Sequence, residues 1–531
     1  MPSFKLNGQD LEFQPGDTII KAAWRSGIEI PHYCWHPGLS VAANCRMCLV
    51  EVKSARPMML PILKWDEQKK EYVEATKPKL VPACQQAAAE GMEVSSESDE
   101  VKQAQKHVQE FLLLNHPVDC PICDQAGECK LQDYWLAHQG TLKRKTTEPV
   151  HKVKGVRFGP TIVYDGERCV MCTRCIRFNE EVVGDPVLDM RERGNVNEIV
   201  LAPGRQLDHK YSLMNETVCP VGALTSRDFR FKARVWFLKS APGVCTGCAT
   251  GCNTWNDFDP RNQRVYRIRP RDNEAVNKFW LCDDGMLSYQ ANTEGRVLLG
   301  RVASSAGGAL RSVAAPEASL EAARLLGAAK KAGKAVAVVL SALHSTEDNW
   351  ALAKLAKEAL GATRLYLAAR PGWDGDRILR HEDANPNRAG AVEAARAFGF
   401  DAPTGTAALL AEVQAGGVGA VLALGQVAEQ DAAGLGPLSK VPTVVLAANE
   451  GPLTAVASVL VPVAAHAEMG GTFTNAKGMA QQWKRAIAPP PGVAPAWEAI
   501  ADIASRMGIS LGVKKLDDVR RALPAPQSAT A

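Results

Sequence analysis

The sequence predicts a multi-domain α+β protein, with a run of small cysteine-rich modules followed by a cysteine-free α/β domain. Three observations predict it. At 531 residues the chain is too long for one ordinary hydrophobic core. All 15 cysteines lie between Cys34 and Cys282. After Ser304 the composition turns to Ala, Gly, Leu and Val in segments that alternate between helical and strand-like patterns.

The formal charge of +4 is small for this length and gives no argument for nucleic acid or a polybasic membrane anchor. Basic residues do gather at Lys143, Arg144, Lys145, Lys152, Lys154 and Arg157, which read as a solvated connecting loop or a docking face for a partner. The longest apolar runs, Ala335–Leu340 and Val456–Val463, are strand-sized, so the chain is not expected to cross a membrane. The first residues carry neither an apolar signal region nor twin arginines, so the chain is expected to stay in the compartment where it is made. Cysteines there are reduced thiols, and clustered ones read as metal ligands.

Phe4-Lys-Leu and Leu11-Glu-Phe flank Asn7-Gly8, a favoured two-residue hairpin turn. Asp17 is placed to cap a helix over 18–25, with Gly27 as its stop. A hairpin, a helix and then a cysteine loop suit a ferredoxin-like β-grasp domain. A second helix is predicted over 99–115, where Val101, Ala104, Val108, Phe111 and Leu112 recur at helical spacing behind Ser98. From His116 to about Gly140 order is expected to come from metal rather than from a core. The later half reads as helices over 317–331 and 347–360, the latter capped from Ser345. Strands fall over 335–340, 420–424 and 443–447, a doubly wound pattern. The tail from Pro524 reads as disordered.

Four ligand groups stand out. Cys34, Cys45, Cys48 and Cys84 approach the plant-type ferredoxin arrangement that wraps a 2Fe–2S cluster, although the first gap is ten residues. A four-cysteine zinc site is the alternative, for which only Cys45 and Cys48 make a close pair. His116, Cys120, Cys123 and Cys129 offer three thiolates and an imidazole, a set that can bind a cubane. A neutral imidazole in place of a thiolate makes such a cluster easier to reduce, other things equal. Cys169, Cys172 and Cys175, with Cys219 before Pro220, follow the bacterial ferredoxin pattern. Pro220 suits the first turn of a helix that would aim its N–H dipoles at the cluster. Cys245, Cys248, Cys252 and Cys282 suit a 4Fe–4S cluster or structural zinc. Fifteen cysteines and His116 supply four groups of four with no cysteine left over.

The run from His116 through Cys120-Pro-Ile-Cys-Asp-Gln-Ala-Gly-Glu-Cys129 and the run Cys45-Arg-Met-Cys-Leu-Val-Glu-Val resemble the iron–sulfur G-subunit family of respiratory NADH-quinone oxidoreductase, complex I. The resemblance is close over the first 300 residues and loose beyond. It implies that Cys34, Cys45, Cys48 and Cys84 hold one 2Fe–2S cluster. His116 with Cys120, Cys123 and Cys129 would hold a cubane, and Cys169, Cys172, Cys175 and Cys219 the next cubane along the electron route. Cys245, Cys248, Cys252 and Cys282 would hold a third 4Fe–4S cluster, found in some members and lying off the main route. Electrons would arrive from the FMN-bearing, NADH-oxidising flavoprotein subunit and leave toward quinone-facing peripheral-arm subunits. The chain would sit on the cytoplasmic side of the bacterial inner membrane, touching it only through the complex, with no catalytic residue of its own.

The last part, around Glu468-Met-Gly-Gly-Thr-Phe-Thr-Asn475, resembles a degenerate molybdopterin-oxidoreductase domain. Lacking cysteine and short, it is expected to bind no molybdenum and to serve assembly. The implied domains are 1–97 (2Fe–2S ferredoxin type), 98–160 (histidine-plus-three-cysteine 4Fe–4S), 161–234 (4Fe–4S ferredoxin-like), 235–303 (4Fe–4S of molybdopterin-oxidoreductase type), 304–523 (truncated α/β) and 524–531 (tail). The 35-residue gap between Cys48 and Cys84 is longer than in many relatives. The alternatives are an electron-input subunit of a soluble hydrogenase, a formate dehydrogenase-type molybdoenzyme, an iron-only hydrogenase and a zinc-stabilised scaffold. An iron-only hydrogenase needs further cysteines after Cys282, and none follow. No G-x-G-x-x-G lies between a strand and a helix to bind NADH directly, Gly416-Gly-Val-Gly419 being too short a match.

Overall fold

Strands Ser3–Leu6 and Gln9–Glu12 form the expected hairpin, with Asn7 (φ 51°) and Gly8 (φ 84°) both in the left-handed region that such a turn requires. This computed structural model describes residues 1–53, 59–139, 144, 146–303, 308–427 and 429–523. It forms two compact units, Met1–Trp236 and Phe237–Ala531.

In the first unit the hairpin joins a five-stranded sheet, in which Ser3–Leu6 runs parallel to Glu93–Ser95 and antiparallel Leu49–Val52 and Leu80–Pro82 follow. Helix Ile19–Arg25 packs Ile19, Ile20, Ala22 and Ala23 onto Phe4, Leu6, Val50 and Val94. This is the β-grasp arrangement expected from the sequence. Asp17 is not the cap. The helix begins past Thr18, and the Asp17 carboxylate instead pairs with Arg25 at 2.5 Å and Lys21 at 3.5 Å. Gly27 (φ 74°) provides the stop. Helix Asp99–Leu113 is capped as predicted, the Ser98 hydroxyl accepting from Val101 N at 3.4 Å. The long gap between Cys48 and Cys84 is filled by a separate hairpin, Met59–Asp66 with Glu71–Pro78, whose Trp65 and Tyr72 pair edge to face at 5.1 Å.

The second unit starts with a three-stranded antiparallel sheet, Lys239–Val244, Asn253–Asp259 and Arg264–Pro270. An eight-stranded sheet follows. From strand Ala335–Ser341 the chain moves outward to Tyr366–Ala368 and Thr404–Gly405. It then returns to the other side for parallel Val418–Leu424, Thr443–Ala447 and Val459–Pro462, with Gly300–Ala303 and Leu310–Val313 antiparallel at the edge. Side chains alternate between two cores. Val338, Leu340, Leu422 and Val444 face helices Ala315–Lys331, Thr346–Leu355 and Ala496–Arg506, while Val339, Val421 and Val445 face helix Thr406–Gln414. That two-sided burial makes these strands continuous apolar runs and the domain doubly wound. Ser345 and Asp348 form a reciprocal capping box, and the helix they start continues as a wider turn over Ala356–Leu360. His344 lies in the preceding loop, 3.4 Å from Asp348.

Lys143, Lys145 and the tail from Pro524 lie outside the described residues. Of the remaining basic residues, Arg144 pairs with Glu110, and Lys154 with Asp119 and Glu167 at 2.8 and 2.7 Å. Among the described residues no helix is long and apolar enough to cross a membrane.

Candidate metal centres

The first group is built by the β-grasp sheet. Pairing of Leu49 with Pro82 sets Cys48 and Cys84 at adjacent strand ends, and Ala83 N donates to Cys48 O at 2.9 Å. Cys34 and Cys45 meet on the loop between helix and sheet, where Ala43 (φ 50°) and Arg46 (φ 60°) take left-handed conformations. Such strain at non-glycine residues persists only where the surroundings enforce it and gathers at functional loops. The Cys45 thiol hydrogen-bonds Cys34 and draws it down to about 5, and Cys48 likewise lowers Cys84. Cys45 and Cys48 are themselves pushed far up by those bonds. Four sulfurs sharing one buried site cannot all ionise without a bound cation.

His116, Cys120, Cys123 and Cys129 line one cavity, so the structure brings the histidine together with its three cysteines. Gly222 closes the wall. A Cβ there would lie 2.2 Å from the Cys123 sulfur, so a larger residue would occupy the ligand's place. Arg168 lines the same cavity and faces Cys123, while its carboxylate partners are Asp119 (3.0 Å) and Asp165 (3.3 Å). Burial raises the thiols of Cys123 and Cys129, the latter to about 12.

Cys169, Cys172, Cys175 and Cys219 enclose the third site. Met171 (φ 49°) and Thr173 (φ 60°) curl the loop so that Met171 N approaches the Cys169 sulfur at 3.4 Å. Pro220 does not start a helix. Helix Met214–Val218 ends at Cys219, and a turn leads on to strand Leu224–Ser226. The Cys219 thiol donates to Val221 O at 3.0 Å, and the backbone of the turn at Val221, Ala223 and Leu224 works against the burial that raises the thiol, so a turn stands where a helix terminus was expected. Burial pushes Cys169 to about 12 and Cys219 to about 11.

The fourth group lies in the second unit. Cys245, Cys248 and Cys252 occupy the loop joining strands Lys239–Val244 and Asn253–Asp259, and Cys282 precedes helix Asp283–Leu287. Gly285 gives close passage: a Cβ would sit 3.1 Å from the Cys245 sulfur and 2.9 Å from Leu281. Arg370 donates to Thr246 O at 2.6 Å and Gly247 O at 3.1 Å, holding the loop. Burial, reinforced by the neighbouring thiols, raises Cys245, Cys252 and Cys282. In all four groups the donors are mostly buried thiols, a chemistry that suits iron, although among the described residues no three of them stand close enough to hold a single metal ion.

The three groups of the first unit adjoin one another, with the third in the middle. Arg177 donates to both Cys34 O (2.5 Å) and Cys172 O (3.3 Å), joining the first group to the third. Lys130 N, next to Cys129, donates to Pro220 O, next to Cys219, at 3.1 Å and joins the second to the third. The sequence motifs singled out the sulfurs but not Gly222, Arg168, Arg174, Arg177 or Arg370. The signal present was local: Arg174 and Arg177 flank Cys175 in Cys172-Thr-Arg-Cys-Ile-Arg.

Three protein families match. Residues 2–99 match a 2Fe-2S iron-sulfur cluster binding domain, 105–141 the NADH-ubiquinone oxidoreductase-G iron-sulfur binding region, and 159–225 the ferredoxin-like domain of NADH-quinone oxidoreductase subunit 3. The NADH-quinone oxidoreductase G subunit of Mycobacterium bovis is 33% identical over 70% of this chain and 43% of its own length. Its counterpart in Rickettsia felis is 37% identical over 54% and 39%. The mitochondrial NADH dehydrogenase (ubiquinone) iron-sulfur protein 1 of Solanum tuberosum is 38% identical over 54% and 35%. Over the matched residues the chain is similar to the G subunits of NADH-quinone oxidoreductase.

It spans less than half the length of these curated relatives. The three matched segments each enclose one of the first three candidate ligand groups, while the fourth group lies beyond them. Among solved structures, a NAD+-reducing NiFe-hydrogenase chain is 25% identical, covers 44% of this chain and 91% of its own, and gives a TM-score of 0.36, too low to argue a common fold.

Proposed function

We propose that this chain is the electron-relaying iron–sulfur subunit of an NADH-quinone oxidoreductase, taking electrons from flavin-bearing NADH-oxidising subunits toward quinone-facing ones. One observation carries this reading: three four-donor groups adjoin in a single unit, the middle one linked to each neighbour through Arg177 and through the Lys130–Pro220 hydrogen bond. Cys34, Cys45, Cys48 and Cys84 hold a 2Fe–2S cluster. His116, Cys120, Cys123 and Cys129, then Cys169, Cys172, Cys175 and Cys219, then Cys245, Cys248, Cys252 and Cys282, hold one 4Fe–4S cluster each. When bound, these clusters supply reversible one-electron carriers. The chain's own residues do the rest: thiolates anchor the irons, burial keeps water out, and amides and arginines set potentials. No general acid, base or nucleophile is required.

The domain limits of this reading are 1–97, 98–160, 161–234, 235–303 and 304–523, with 524–531 as a tail. The 304–523 domain is a truncated relative of molybdopterin oxidoreductases that holds no molybdenum and serves assembly. The chain sits peripherally on the cytoplasmic side of the bacterial inner membrane. Val118, Ile122 and Leu136 are exposed apolar side chains around the second group, which supports another subunit of the complex docking there.

Low-temperature EPR of the reduced full chain, with an iron count, tests the reading. About fourteen irons and signals from one binuclear and three cubane clusters are expected. Cys245→Ala should remove one cubane signal and about four irons. An unchanged spectrum and iron content would reject the fourth assignment, and little iron in the unaltered, folded chain would reject the proposal as a whole.

A further inference from the structure

Two guanidiniums lie side by side between the first and third ligand groups. Arg174 donates to Trp35 O at 2.5 Å and to Val218 O at 3.3 Å, the carbonyls next to Cys34 and Cys219. Arg177 donates to Cys34 O, Cys172 O and Ser40 O, and from Nε to Thr173 Oγ1 at 3.3 Å. Each is only 8% exposed. Among the described residues neither forms an ion pair with a carboxylate, and the buried Arg174 Nε has no hydrogen-bond partner. Arg168 provides the contrast, with Asp119 and Asp165 both beside it.

Two like charges held together in the interior with no carboxylate are strongly unfavourable unless another anion lies within reach. The thiols of Cys172 and Cys219 face Arg174, and Cys34 lies close enough to Cys172 for their charges to interact. Four thiolates around each iron centre make it a net anion, and reduction adds one more negative charge. A fixed cation in a low-dielectric site favours the more negative state.

We infer that Arg174 and Arg177 are a counter-charge shared by the first and third centres, raising the reduction potentials of both. This rests on the proposed reading that those groups hold iron–sulfur clusters. Backbone carbonyl contacts make the two arginines clamps as well, so charge and clamping have to be separated in the test.

The experiment is an EPR-monitored redox titration, with iron content, of the full iron-loaded chain and its Arg174→Gln, Arg177→Gln, Arg174→Lys and Arg177→Lys variants. Each Gln variant should shift both reduction equilibria about tenfold toward the oxidised form, which is 59 mV for one electron. The Lys variants should recover most of that shift. Full iron with unmoved potentials in the Gln variants overturns the inference while leaving the cluster assignment intact. Iron lost in the Gln variants but kept in the Lys variants supports a required charge; iron lost in both makes the arginines clamps and overturns it. Absence of the two signals from the unaltered chain would instead refute the functional reading beneath it.

Discussion

The segment from His116 to Gln139 and the sheet from Gly300 to Pro462 are held together by different physics. In the sheet, whole strands such as Val418–Leu424 are buried on both faces, and apolar side chains from two cores supply the cohesion. In the segment the buried apolar side chains are Cys123, Ala126, Cys129, Leu131 and Tyr134, two of them in the proposed ligand group, while Val118, Ile122 and Leu136 face solvent. One region folds by excluding water; the other, on the proposed reading, by converging on metal. On that reading a cofactor-dependent loop sits within the same chain as a sheet held by its own cores.

The largest effect that could break this contrast is iron removal. Anaerobic chelation of the full chain should release protection of the 116–139 amides in hydrogen exchange while the central sheet strands stay protected. Equal loss in both regions would end the distinction. Next, Leu422→Ala removes a fully buried side chain from the sheet core. It should cost about 2–5 kcal/mol of stability, read by denaturant unfolding, with iron content unchanged.

The smallest effect is a pH dependence in the second unit. His466 stacks on Trp483 at 4.4 Å, and burial holds its pKa down to about 4. The folded chain then binds fewer protons than the unfolded one between that value and the ordinary imidazole pKa. The contribution is complete above about pH 6.5 and lost as pH falls toward 4, on the order of 1–3 kcal/mol in all. Calorimetry at pH 7.5 and 5.5 should show a smaller loss in His466→Gln than in the unaltered chain. An equal loss would assign the pH dependence elsewhere.

Features legible in the sequence were local or countable. The Asn7-Gly8 turn, the Ser98 and Ser345 caps and the apolar strands of the sheet follow from residues within a few positions of one another. The four donor groups were legible because their spacing is short and their number closes with no cysteine spare. The tertiary structure decided what depends on distant segments meeting: that the third group adjoins the other two, that a turn rather than a helix terminus follows Cys219, and that Arg174 and Arg177 lie between two of the groups. Spacing along a chain records which side chains share a loop. Which loops meet, and which charges are stranded between them, follows only once long-range burial has brought those loops together.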